Sequence, residues 1–180
     1  MDAKERKGFE EKSFKAAVIT VSDKGARGER VDESGPAAKE MLEEAGYEVV
    51  ETLIIPDEPE ELKTELIRLA DEVRADLVVT SGGTGFSMRD QTPEATLAVA
   101  DRLAPGIAEA IRYQSMAVTN RAMLSRGVSV IRRQTVIVNL PGSPKAVKEN
   151  LEAVLPSLEH GLAILTGNAS ECGKPLSAGK

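Results

Sequence analysis

The chain has 180 residues, 41% hydrophobic and 29% charged, an ordinary globular mixture of one domain's length. A single cysteine, Cys172, and a single histidine, His160, exclude a disulfide framework, a multi-Cys or multi-His metal site and a relay built on histidine. The net charge of −6, the absence of tryptophan and the 3% aromatic content speak against base stacking and a broad duplex-binding face, so no nucleic-acid partner is expected.

Residues 1–13 read as a charged, solvated leader. Lys15 to Val21 is a short β-branched run that predicts a buried strand. Ser22 to Asp32 follows as a polar loop, and Ala37, Ala38, Met41, Leu42 and Ala45 recur at helical spacing after Ser34 until Gly46. Tyr47 to Ile55 predicts a second strand closed by Pro56-Asp57, and Leu62, Leu66, Leu69, Ala70 and Val73 mark a second helix. Asp76 to Thr80 predicts a third strand running into Ser81-Gly82-Gly83-Thr84-Gly85. A helix is expected over 94–103, an interruption at Pro105 and Gly106 and then another helix to about Ser115, a strand over Thr135 to Leu140, and two helices over 144–154 and 156–166. The tail 167–180 is expected to fray.

Continuous apolar strands alternating with amphipathic helices predict an α/β chain, a mostly parallel sheet covered on both faces, forming one domain with its core at about 14–166. Right-handed crossovers bring the loops after the strands to one sheet edge, the ligand-binding edge of such folds. No run of about 18 apolar residues exists and the N-terminus has no apolar signal core, so no membrane association and a cytoplasmic location are expected.

The strongest chemical signal is Ser81 to Asp90. Three glycines in four residues let backbone N–H groups approach an anion, Thr84 adds a hydroxyl, and Asp90 stands beyond them for a metal ion; a ligand-free strand-to-helix turn fits the same composition. Met88 takes the place of the third glycine of a dinucleotide fingerprint, and Gly167 to Pro175 lacks the spacing of a Walker A loop. Asp57 is either a strand-end functional carboxylate or a helix N-cap. With Asp90 it would suit Mg²⁺, which takes one or two carboxylates plus substrate phosphates.

Pro141-Gly142-Ser143 opens a helix and offers amides to a second anion, or forms a rigid turn. Ser22 and Asp23 belong to the same edge. From Ala110 to Lys148 there are seven bases and no acid, leaving −13 on the rest of the chain. That segment suits a small polyanion, with Ser125-Arg126 as a candidate contact, or it is a solvated face or oligomer contact.

Val78 to Gly85 with Asp90, Ile55 to Glu58, Thr92 to Ala95, Met123 to Arg126 and Asn139 to Pro144 together resemble the molybdenum-cofactor biosynthesis family, nearest its molybdopterin adenylyltransferases. The resemblance spans roughly Lys15 to Leu165 in consistent order. It implies a three-layer α/β/α fold, a homotrimer, and transfer of AMP from ATP to the terminal phosphate of molybdopterin with Mg²⁺, releasing pyrophosphate. It places the two acidic positions of the active branch on Asp57 and Asp90. An insertion of longer members is missing near 152–157, and Ser129 stands where small residues are common. A non-catalytic molybdopterin carrier and a nucleotide pyrophosphohydrolase are the alternatives; the second is disfavoured by Gly-Gly-Thr-Gly-Phe in place of Gly-Gly-Leu-Gly-Pro.

Overall fold

Strand β1 (Lys15–Val21) puts Ala16 and Val18 on one face and Ala17, Ile19 and Val21 on the other, all buried. Both faces are therefore covered, as its unbroken apolar run requires. This computed structural model describes residues 13–167; Cys172, most of the leader and nearly all of the tail lie outside them.

A six-stranded sheet has the order β2-β1-β3-β6-β5-β4, with β2 (Glu48–Ile55), β3 (Leu77–Ser81), β4 (Arg102–Leu103), β5 (Ser129–Arg132) and β6 (Thr135–Leu140). Strands β2, β1, β3 and β6 are parallel, whereas β5 and β4 add antiparallel pairs at one edge. On one face α2 (Ser34–Glu44), α5 (Pro105–Met116) and α6 (Pro144–Leu165) pack Ala38, Leu42, Ile111, Leu151, Val154 and Leu158 against Val18, Val79 and Val138. On the other, α3 (Pro59–Arg68) and α4 (Thr92–Ala98) bring Leu62, Leu66 and Ala95 against Ile19, Val78 and Ile137. The expected three-layer α/β/α architecture is present.

Four local expectations change. The helix expected over 94–103 stops at Ala98, and Arg102–Leu103 joins the sheet as β4. Strand β5 is an addition to the expected elements; it pairs with β6 across a two-residue turn in which Arg133 has φ 51°. The helices expected over 144–154 and 156–166 are one, because Pro156 is on the exposed side while Leu151, Val154, Leu155, Leu158 and Leu162 keep a continuous buried stripe. The carbonyl that proline leaves without a donor can take water there. Finally, the loop after β1 contains a short helix, α1 (Asp23–Ala26), capped by Ser22, whose Oγ accepts from the Gly25 N–H at 3.1 Å.

Candidate active site

The four parallel strands end at Val21, Ile55, Ser81 and Leu140, so the segments 22–32, 56–58, 82–90 and 141–143 gather at one edge. Tight backbone packing joins them. Gly82 has φ 106° and donates its N–H to the Leu140 carbonyl at 3.1 Å, and any side chain there would run into the Val21 carbonyl. Ser81 Oγ donates to the Pro141 carbonyl at 3.1 Å, and a Cβ on Gly142 would stand 3.4 Å from the Gly82 Cα. Glycine is required at position 82, where the loop after β3 passes the end of β1, whereas a Cβ on Gly142 would make ordinary van der Waals contact.

This seam divides two cavities. One, of about 440 Å³, is lined by Ser22, Asp57, Ser81, Gly82 and Gly142, together with Thr20, Arg30 and Asp32. The other, of about 280 Å³, is lined by Thr84, Gly85, Ser125 and Pro141, together with Arg121, Ile111 and Leu124. Two ligands could thus meet across residues 82–85 and 141–142.

Asp57 is not a helix cap. The N-cap of α3 is Glu58, which makes no side-chain capping bond, while Asp57 Oδ2 accepts the Asp23 N–H at 2.8 Å. Asp23 Oδ1 in turn accepts the Asp57 N–H at 3.0 Å, and Arg89 bridges Asp23 and Glu58. The Arg89 bond holds the Asp23 carboxyl below its ordinary range. Burial pushes Asp57 the other way, upward, and the charges of Asp23 and Asp90 add to the effect. Asp90 Oδ2 accepts the Ser87 N–H at 3.0 Å and would lie 2.8 Å from a Cβ on Gly85; Asp57 Oδ1 would lie 3.5 Å from one on Gly83. The two carboxylates therefore face neighbouring glycines of one loop.

No group of three or more His, Cys, Asp or Glu side chains able to hold a metal occurs among the described residues. Two carboxylates without a third protein ligand fit Mg²⁺ completed by phosphate oxygens, and do not form an all-protein cage.

The basic segment is not a single anion surface. Arg126 donates Nε to the Gly85 carbonyl at 2.7 Å, reaches the Asp90 carbonyl and pairs with Glu94, so it braces the glycine loop. Arg132 and Arg133 pair with Asp71, Lys145 with Glu149, and Lys148 with Glu40; Arg112 donates to the Gly127 carbonyl. Of the seven bases, Arg121 alone has no side-chain partner among the described residues, and it lines the smaller cavity. Ser143 caps α6, its Oγ accepting the Ala146 N–H at 3.5 Å. Ser125 Oγ accepts the Gly127 N–H at 3.4 Å.

Arg30 and Asp32 are not among the site residues expected from the sequence, whereas Arg121 enters only as one base of the segment from Ala110 to Lys148 and Thr92 only as part of the Thr92 to Ala95 motif. Asp32 carried a usable signal, an acid just before Ser34-Gly35: its Oδ1 accepts both their N–H groups, at 3.0 and 3.1 Å. Thr92, immediately before Pro93, is buried against Gly83.

Residues 17–160 match MoCF_biosynth, described as a probable molybdopterin binding domain. The chain is 40% identical over 153 residues to the molybdopterin adenylyltransferase of Helicobacter pylori, covering 84% of this chain and 87% of that one. It is 45% identical over 145 residues to the molybdopterin adenylyltransferase of Escherichia coli K12, covering 79% and 74%. The solved structure of the molybdopterin biosynthesis enzyme MoaB from Thermus thermophilus superposes with a TM-score of 0.81 at 49% identity, over 86% of this chain and 97% of that one. With its glycine loop, the two aspartates beside that loop and its sheet edge in this arrangement, the chain belongs to the molybdenum-cofactor biosynthesis family of molybdopterin-binding domains.

Proposed function

We propose that the chain is a molybdopterin adenylyltransferase: it transfers AMP from ATP to the terminal phosphate of molybdopterin and releases pyrophosphate. The observation that carries this reading is the placement of Asp57 and Asp90 at a glycine loop shared by two cavities. Two phosphorylated substrates approaching from opposite sides would meet at that loop.

The pterin phosphate is already an anionic nucleophile and needs no strong base. The obstacle is repulsion between two polyanions, so the protein's work is alignment and charge neutralisation at the α-phosphorus. The amides of residues 83–85 and the N-terminus of α6 at Gly142-Ser143 would present N–H groups to phosphate oxygens. Asp57 and Asp90 would hold Mg²⁺, which when bound neutralises phosphate charge as a Lewis acid. Arg126 keeps the loop in shape from behind, and Arg121 supplies positive potential in the smaller cavity.

The same reading includes a homotrimer, for which exposed Leu103, Tyr113, Met123 and Leu124 offer apolar surface, and a cytoplasmic location; no described helix is long and apolar enough to cross a membrane. Light scattering on the purified protein measures the first.

Turnover with molybdopterin and Mg-ATP tests the reaction. Appearance of adenylylated pterin with stoichiometric pyrophosphate supports it. Pterin binding without pyrophosphate release makes the chain a carrier, and hydrolysis of ATP or ADP-ribose without pterin makes it a pyrophosphohydrolase.

A further inference from the structure

Thr92 is 2% exposed, and its Oγ1 is buried with no hydrogen-bond partner among the described residues. A buried hydroxyl in that state calls for a partner such as an ordered water. The hydroxyl is turned toward Gly83: a Cβ built there would strike Thr92 Oγ1 and lie 3.5 Å from Asp57 Oδ1. Hydroxyl and carboxylate oxygen thus face a common point beside the glycine loop. Thr92 and Asp57 also share, with Glu58, Arg89 and Gln91, the lining of a cavity of about 10 Å³. That is the room one water needs, and the walls offer the two to four polar partners that hold it.

We propose that one ordered water fills this cavity, accepting the Thr92 Oγ–H and donating to the Asp57 carboxylate, and that Thr92 is thereby a positioning residue for Asp57. The Asp23 N–H fixes one carboxylate oxygen, Oδ2, from the α1 side. The water fixes the carboxylate from the α4 side and limits its rotation away from the glycine loop. Thr92 touches no substrate in this arrangement; it acts through the water on Asp57. The consequence for metal affinity rests on the proposed adenylyl transfer, whereas the water does not.

The test is high-resolution diffraction from crystals of the wild type and of Thr92→Val and Thr92→Ser, paired with electron paramagnetic resonance titration of Mn²⁺ in the presence of the α,β-methylene analogue of ATP. Valine keeps the shape and removes the hydroxyl. The wild type should show a water within hydrogen-bond distance of Thr92 Oγ1 and Asp57. Thr92→Val should lose it and weaken Mn²⁺ binding by about tenfold, as loss of an outer-shell support does. Thr92→Ser should restore most of the affinity. A dry cavity in the wild type overturns the proposal, as does Thr92→Val binding Mn²⁺ as the wild type does. Wild-type and Asp57→Asn proteins that are equally indifferent to Mn²⁺ would instead bring down the proposed metal site, and the wild-type crystal would still decide the water.

Discussion

Asp23 and Asp57 each accept the other's backbone N–H, at 3.0 and 2.8 Å, so two acids 34 residues apart lock the loops after β1 and β2 together. Their charges are managed differently. Asp23 shares its carboxylate with Arg89, while Asp57 is left half-buried between two acids and makes no ion pair among the described residues, feeling Arg89 only at a distance. A carboxylate kept in that position is costly to the fold and suited to a cation brought by substrate.

Asp57→Asn is therefore expected to separate stability from activity. Turnover should fall by about 10²-fold or more, with pterin affinity changed far less. The melting temperature at pH 7 should rise, because the amide ends the repulsion from Asp23 and Asp90 and still accepts the Asp23 N–H. The pH sign follows from the upward shift of Asp57: protonation favours the fold, and the stabilisation present below the unfolded-state value is lost as pH rises through the folded-state value. Mn²⁺ affinity runs the opposite way and should fall with decreasing pH from above the ordinary aspartate range. Thermal unfolding and Mn²⁺ titration across pH 4–7 check both signs. Asp90→Asn should show the same loss of rate; near-normal turnover in both variants would remove the pair from the catalytic centre.

Arg126 and Arg121 should separate as brace and ligand contact. Arg126→Ala strips donors from the Gly85 and Asp90 carbonyls and should cost about 1–3 kcal/mol of stability with no ligand present. Arg121→Ala should leave the melting temperature within experimental error and weaken binding of a phosphorylated ligand. Chemical denaturation and calorimetric titration give the two readouts. An Arg126→Ala protein of unchanged stability would contradict the brace.

Gly82→Ala combines a positive φ of 106° with a Cβ directed into the Val21 carbonyl. Strain of ~1–2 kcal/mol from the backbone and ~1–3 kcal/mol from overpacking should together make it one of the most damaging single-methyl changes in the chain. The ends of β1 and β3 would be forced apart, so activity should fall even where the fold survives. Urea unfolding and turnover measure the two effects; wild-type values for both would refute the close-approach account.

Arg74→Gly should stabilise. Arg74 ends the π-helical turn Leu69–Val73 with φ 57°, and its side chain has no hydrogen bond or ion pair among the described residues. Glycine relieves a left-handed strain of about 1 kcal/mol at a position where helices favour it. A lower denaturation midpoint would show that the Arg74 side chain contributes more than this strain.

The residues by themselves determined the central layer and the sheet edge at which the candidate loops gather. Strands β1, β3 and β6 are apolar runs punctuated by Ser22, Gly82 and Pro141, and burial on both faces leaves no other use for such runs; β2, at the sheet edge, carries Glu48 and Glu51, buries only Ile55 and is closed by Pro56. Parallel order then sends every loop to one edge, which is why Asp57 and Asp90 can be paired from the chain alone. Local patterns could not show β5 and β4: they are short, carry Arg132 and Arg102, and are strands only because β6 offers them an edge. Nor could they show that α6 runs through Pro156, since the outcome depends on which side of the helix faces solvent. The roles of single charges lay further out of reach. Arg126 reads as an anion contact in sequence, and only the folding of residues 85, 90 and 94 around it decides that its donors are already taken. Spacing along the chain limits which groups can meet, but pairing energy is set by distance in space, and that is decided by tertiary structure.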